Sequence, residues 1–400
     1  MSKKLIISQM QIHNKACLTT AVVDTDIDRL IDLQITARDK ENILGNIYVG
    51  KVTKIAPHLN AAFIDIKPSF SCYYPFAKNK AAYITSAHKR DELKAGDELL
   101  VQVVAESLKD KIPTVTSQIN IVGQYAVLTY GKKGIGVSAR LADEEKVRLK
   151  KLIEPYVLED CGMVVRTNAV KVADTAIIEE VRQLARHWEE LMNMGDTRTC
   201  YTLIEAAKPE YVQTLDKITN DSLAEIITDD ETVFEYLQNH LKKSSLDTSG
   251  KLRYYDEKML SLANLYSLES TLDTACKEKV WLKSGGFLII QQTAAFVAID
   301  VNSGKFQSKK DAVHMHPKIN LEAVAEIAIQ LRLRNLSGII LIDFINMEAK
   351  KDQDILLETL QRQLRKDSVK AVVVDITPLH IVEVTRQKAK KSLAEQLADI

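Results

Sequence analysis

Three apolar runs near the C-terminus each end on a carboxylate: FVAID (296–300), IILID (339–343) and VVVD (372–375). Apolar runs alternating with amphipathic helical stretches predict crossover units and a largely parallel sheet over residues 276–400. Between the first two runs, Asn320 has the chemistry of a helix N-cap, and Leu321, Val324, Ala328 and Leu331 fall on one helical face. A helix there returns the chain so that the strands ending in Asp300 and Asp343 lie side by side. Both carboxylates then sit at one edge of the sheet, where open α/β folds place their ligands. Two anionic donors held that close repel unless a cation lies between them, and Mg2+ suits them because it takes one or two carboxylates and keeps several waters. Asn302, two residues beyond Asp300, points the same way on an extended backbone and can donate to a phosphate oxygen. A lone strand-end aspartate reads equally as a turn or cap, which is the reading for Asp375. For Asp300 and Asp343 the metal and cap readings both stand.

The 54 Lys and Arg balance 54 Asp and Glu among 400 residues, so any attraction to nucleic acid must come from local patches. With 46% hydrophobic and 27% charged residues the composition is that of a folded, multi-domain chain and excludes wholesale disorder. Five widely spaced cysteines without a CxxC pair point to reduced thiols and a cytoplasmic location. The apolar stretch near the N-terminus is too short for a secretory signal. The longest uncharged apolar stretch, 287–299, is too short for a membrane span.

Upstream, residues 1–38 read as short strands at 5–7, 15–23 and 29–35, too few to stand alone. Residues 39–121 hold five short strands, the pattern of a small antiparallel barrel such as an OB-fold. Phe63, Tyr73 and Tyr74 offer stacking faces near Lys51, Lys54, Lys109 and Lys111. Aromatics and lysines on such a barrel suit single-stranded nucleic acid, and the same rings can instead fill the barrel core. Residues 122–199 carry a strand, a Gly-rich turn (Gly131, Gly134, Gly136), two helices and a second strand running into Arg166-Thr167. That pair can bind phosphate through guanidinium and hydroxyl, or simply end a strand in solvent. Residues 200–275 read as mostly helical and charged, the natural complement of the N-terminal strands.

Taken together, KVWLKSGGFLIIQQT (279–293), AIDVNSGK (298–305), NLEAVAEIAIQLRLRNLSGIILIDFINM (320–347), LHIVEVTRQK (379–388), NIYVGKVTKIAPHLNAAFIDI (46–66) and GMVVRTNA (162–169) resemble the ribonuclease E/G family of bacterial endoribonucleases. The resemblance runs from residue 1 to about 390 in the family's order. It implies an α/β multi-subdomain chain: a ribonuclease-H-like piece split between 1–38 and 200–275, an S1-type OB-fold at 39–121, a 5′-end sensor at 122–199 and a deoxyribonuclease-I-like catalytic subdomain at 276–400. It further implies that Asp300 and Asp343 hold Mg2+ while Asn302 helps place the scissile phosphate. Gly123, Val127, Arg166 and Thr167 are implied for a 5′-monophosphate pocket, and Phe63, Tyr73 and Lys111 for contact with single-stranded RNA.

The departures are specific. The family's CPxC motif, whose cysteines share zinc between two chains, has no counterpart after Cys276, so zinc is not expected and any homo-oligomer would lack that link. The family's TEAL is Thr293-Ala294-Ala295-Phe296 here, and the last Asp of IDFIDM is Asn346. The loop expected at 307–318 contains His314 and His316, read as solvated rather than metal-ligating. The expected activity is Mg-dependent hydrolysis of single-stranded RNA, favouring 5′-monophosphate ends, in rRNA and mRNA processing and decay. The alternative is an RNA-binding protein of the same fold with little nuclease activity.

Overall fold

The computed structural model describes residues 2–39, 42–85, 92–105, 112–138, 141–218, 222–243, 249–304, 309–347, 349–388 and 390–400. The chain forms two compact units, Met1–Lys40 with Glu210–Ile400, and Glu41–Pro209.

In the first unit, the strands Lys3–Ile12, Lys15–Asp24 and Arg29–Ala37 form an antiparallel meander. Lys3–Ile12 also pairs in parallel with Leu223–Thr228, which pairs in parallel with Leu252–Tyr254. The stretch 200–275 is therefore not mostly helical. Leu223–Thr228 (LAEIIT) hides in the sequence because so short an apolar run reads equally as part of a helix; Ile226 and Ile227 are fully buried between layers.

The second sheet of this unit has six strands, in the order Lys279–Trp281, Phe287–Gln292, Phe296–Asn302, Gly338–Asp343, Ile381–Arg386, Ala371–Ile376. Only Phe296–Asn302 and Gly338–Asp343 pair in parallel; every other pairing is antiparallel, against the expectation of a largely parallel sheet. The connections explain this. Parallel neighbours need a long crossover, and 303–337 provides one, whereas Thr293-Ala294-Ala295 and residues 377–380 permit hairpins. The other long connection, 344–370 with the helix Lys350–Leu364, leads to Ala371–Ile376, which Ile381–Arg386 separates from Gly338–Asp343. The Thr293 hydroxyl closes the first hairpin, accepting from the Phe296 N–H (3.1 Å) and donating to its carbonyl (2.7 Å).

The crossover helix is Lys309–Leu333, which starts eleven residues before Asn320 and covers most of the expected 307–318 loop. Pro317 inside it reads from sequence as a start or a break. The helix is apolar on two sides. Ile319, Val324, Ile327 and Leu331 enter the core of the six-stranded sheet, while Ile329 and Leu333 enter the cores of the five-stranded sheet. Arg29 fastens that sheet to the helix through a two-pronged bond to Glu326 (2.5 and 3.0 Å). No helix among the described residues is long and apolar enough to cross a membrane.

In the second unit, Ile47–Ala56, Ala61–Lys67, Phe70–Pro75, Thr114–Thr116 and Glu98–Ala105 close into a five-stranded barrel through the pairing of the first strand with the last. Leu203–Glu205 adds a short strand on the outside of Ile47–Ala56 and so belongs with this unit. A four-stranded sheet follows, in the order Gly134–Val137, Cys161–Val165, Ala126–Tyr130, Asn120–Val122. Two glycines of the expected turn, Gly134 and Gly136, thus open and continue a strand. The helix Asp174–Thr197 buries Ile177, Val181, Leu184, Trp188 and Leu191 in the core shared with this sheet.

Within the six-stranded sheet, Arg386 is buried and bonded to Asp367 Oδ2 (2.7 Å), Asn335 Oδ1 (2.9 Å) and the Leu336 carbonyl (2.9 Å). It pins the turn that feeds Gly338–Asp343. Replacing Arg386 with Ala removes the ion pair from buried Asp367, which keeps its bond from the Val369 N–H (2.8 Å), and urea unfolding is expected to show a loss of roughly 3 kcal/mol.

Candidate active site and nucleic-acid interfaces

The one parallel pair of the six-stranded sheet brings two carboxylates together. Its register sets Phe296 opposite Ile339 and continues residue for residue to Asp300 opposite Asp343. Neighbouring strands lie about 4.8 Å apart, so the two side chains leave adjacent points on the same face. The alternation decides which face. Val297, Ile299 and Val301 point into the core with Ile340 and Ile342, so Asp300 and Asp343 point out, and both are exposed. Asn302 shares that outward face and donates through Nδ2 to Asp300 Oδ2 at 2.8 Å.

Close backbone packing holds the end of this strand. Gly304 adopts a left-handed φ of +73°, and a Cβ there would lie 2.4 Å from the Gly285 carbonyl. The Ser284-Gly285-Gly286 turn therefore packs directly on the segment carrying Asn302. Glu322 of the crossover helix holds that turn, accepting from the N–H groups of Lys283 (2.6 Å) and Ser284 (3.2 Å).

Asn320 is not an N-cap. It lies inside the helix, fully buried, and its amide meets the Ile345 backbone twice: Nδ2 donates to the carbonyl (2.7 Å) and Oδ1 accepts from the N–H (3.1 Å). It thus fixes the chain two residues past Asp343. An Asn followed by an apolar helical face signals a cap in sequence, and only the tertiary fold reveals the tether. Ala294 lies in the turn before Phe296, six residues from Asp300, or roughly 20 Å along an extended strand. Met315 and His316 are half-buried helical positions; the side chain of His314 lies outside the described residues.

The donor set fits a hard divalent ion: two adjacent carboxylates open to water, with an amide beside them. Among the described residues no three His, Cys, Asp or Glu converge, and Asp300 and Asp343 are the pair that would hold such an ion.

On the barrel, Lys54, Phe63 and Tyr73 form one row across three strands, Lys54 opposite Phe63 and Phe63 opposite Tyr73. Phe63 and Tyr73 are half-buried on the outer face, edge to face with ring centres 6.3 Å apart. Tyr74 points inward, fully buried, with its hydroxyl 2.8 Å from the Ser117 hydroxyl, so it is a core residue. Lys109 and Lys111 lie outside the described residues.

In the four-stranded sheet, Arg166 follows Cys161–Val165, and its Nη1 donates to the carbonyls of Gly123 (2.8 Å) and Gln124 (3.2 Å). Thr167 is exposed immediately beyond it. Val127 pairs with Val122 on one side and Val164 on the other. Gly123 contributes through its carbonyl, since its N–H donates to Ala126 O (2.9 Å). The residue that sequence reasoning missed is Glu180, a charged position on an amphipathic helix. Its carboxylate accepts from the N–H groups of Gln124 (2.9 Å), Tyr125 (2.6 Å) and Ala126 (2.9 Å), shaping the loop whose carbonyls hold Arg166. Burial pushes this carboxyl above the usual carboxylate range, against the pull of those donors and of Arg166. A Cβ on Gly123 would lie 2.5 Å from Glu180 Oε1, which leaves no room for a side chain there.

A mixed α/β chain with a closed OB-like barrel and a strand-edge pair of carboxylates is the build of a nucleic-acid enzyme. The ribonuclease E/G family model matches residues 120–389. The chain is 32% identical to ribonuclease G of Escherichia coli (strain K12), covering 95% of this chain and 80% of that protein. Its identity to ribonuclease G of Salmonella typhimurium (strain SL1344) is the same, with the same coverage. Against ribonuclease E of Escherichia coli (strain K12) it is 31% identical over 98% of this chain and 37% of that longer protein. The chain belongs to the ribonuclease E/G family.

Substituting Asn320 by Ala removes both bonds to the half-buried Ile345 backbone. A loss of about 1–3 kcal/mol in urea unfolding is expected, with cleavage of RNA reduced as Asp343 loses its support. Unchanged turnover in a destabilised variant would show that Asn320 serves stability alone.

Proposed function

We propose that this member of the ribonuclease E/G family is a Mg2+-dependent endonuclease of single-stranded RNA that favours 5′-monophosphate ends. Family membership makes it an endoribonuclease acting on RNA. The observation that carries the finer reading is the parallel register that sets Asp300 beside Asp343, with Asn302 bonded to Asp300.

Asp300 and Asp343 are the groups to hold the ion. A divalent ion bound there supplies positive charge to the phosphate and acidifies a water. Asn302 keeps Asp300 oriented through its 2.8 Å bond and presents an amide donor beside the phosphate. Hydrolysis by water leaves a 5′-phosphate and a 3′-hydroxyl. Phe63 and Tyr73 are the stacking platform for bases, flanked by Lys54 and, from sequence, by Lys111. Arg166 and Thr167 take the terminal phosphate of a 5′-monophosphate, in a pocket shaped by the Gly123–Val127 segment and Glu180.

The same proposal assigns the subdomains: the five-stranded sheet as the ribonuclease-H-like piece, the barrel as an S1-type OB-fold, the four-stranded sheet with its helices as the 5′ sensor, and the six-stranded sheet as the deoxyribonuclease-I-like unit. The five free cysteines, three of them buried, support a reducing, cytoplasmic location. Processing and decay of rRNA and mRNA are the physiological roles that fit such an enzyme.

Cleavage of a short, A/U-rich RNA with a 5′-monophosphate tests the chemistry. Cutting is expected in Mg2+, none in chelator, and a loss of at least about a hundredfold in Asp300→Asn and in Asp343→Asn. RNA that stays intact while bound by folded wild-type protein would replace the nuclease with a binding module. For the sensor, Arg166→Gln is expected to narrow the preference for 5′-monophosphate over 5′-hydroxyl RNA while sparing cleavage of circular RNA. Equal loss on linear and circular substrates would argue against a sensor.

A further inference from the structure

The outward face that carries Asp300, Asn302 and Asp343 also carries aromatics that the proposed chemistry leaves unused. Trp281 stands opposite Phe287, and Phe287 opposite Asn302, so the three form one row across adjacent strands. The next row runs Lys279, Ile289, Asp300, Asp343. Opposed residues project from the same face, so Trp281 and Phe287 stand on the side of the sheet that bears the carboxylates. Trp281 is 64% exposed, an extreme value for an indole on a strand. Its ring meets Phe287 edge to face, with centres 5.3 Å apart. The Lys279 ammonium sits 4.0 Å from the centre of the indole and 3.8 Å from that of the phenyl ring. An exposed indole, a second ring and a lysine are the elements that bind single-stranded nucleic acid by stacking and charge. The support is rigid, because the turn joining the two strands is held by Glu322 and packed against the segment of Gly304.

We infer that Trp281, Phe287 and Lys279 form a base-stacking subsite for single-stranded RNA beside the proposed catalytic carboxylates. Its position follows from strand spacing. Trp281 lies two strands from Asn302, about 10 Å across the sheet, so the stacked base belongs to a nucleotide within one or two of the scissile phosphate. Lys279, whose ammonium lies against both rings, adds positive charge beside that nucleotide. Its residues are other than those of the barrel's aromatic row, which belong to the other unit. Placing it next to the scissile bond rests on the catalytic reading of Asp300 and Asp343; stacking of RNA on Trp281 does not.

Intrinsic fluorescence reads the stacking without any chemistry. The chain has two tryptophans, and Trp188 is buried and stacked on Tyr130, so RNA contact is reported by Trp281. In Asp300→Asn protein with chelator, a short single-stranded RNA is expected to quench the emission saturably, and Trp281→Phe in that background is expected to abolish the quenching. In otherwise wild-type protein, Trp281→Ala is expected to raise KM at least about fivefold with a smaller change in kcat. Trp281→Phe keeps a ring and is expected to recover part of that loss. An RNA with one abasic nucleotide, walked across the cleaved bond, is expected to reach one position at which Trp281→Ala costs nothing further.

Absent quenching, or quenching that survives Trp281→Phe, overturns the subsite. So does self-association of the protein that Trp281→Ala abolishes while RNA leaves the emission unchanged, which would make the patch a contact between copies. Cleavage that persists in Asp300→Asn sinks the catalytic assignment instead, and quenching still decides whether Trp281 stacks on RNA.

Discussion

The parallel pairing of Phe296–Asn302 with Gly338–Asp343 is the constraint on which the proposed site depends. Strand register has a period of two, so a slip of one residue would turn Asp343 into the core and Ile342 out to solvent. Ile299, Val301, Ile340 and Ile342 prevent that slip, because each would have to leave a buried position. The carboxylates are thus held side by side by the apolar residues that alternate with them. The crossover helix completes the arrangement. It spans the return from one parallel strand to the next, contributes to cores on two sides, and ties down the chain after Asp343 through Asn320.

The second unit uses the same device of fixing a polar group through its backbone surroundings. Glu180 gathers three N–H groups of the loop 124–126, and the carbonyls of Gly123 and Gln124 then face Arg166. Glu180 is directed at those amides, and the positive charge of Arg166 works against the burial that pushes its carboxyl up.

Much of this was legible in the sequence where local pattern and tertiary role agree. The strand ends at Asp300 and Asp343, the barrel strands and the strand before Arg166 are each announced by apolar runs and turns. What escaped was set by partners distant in sequence. A parallel sheet was read where most neighbours are antiparallel, because apolar runs do not state the direction of their partners. Leu223–Thr228 was lost among helices, since its strand character comes from pairing with Lys3–Ile12. Asn320 reads as an ordinary cap and Glu180 carries no signal of its own, and their roles rest on Ile345 and on the loop 124–126. Trp281 gave no signal beyond its lying in a family motif; its register opposite Phe287 and Asn302 is what gives it meaning.

The most direct test of the central claim is Mn2+ binding, followed by electron paramagnetic resonance, in wild type, Asp300→Asn and Asp343→Asn without RNA. A site built from the two carboxylates gives one saturable class of bound ion in the wild type, weakened at least about tenfold by either substitution. Equal Mn2+ affinity in all three proteins would contradict it, because the ion would then be held by other residues.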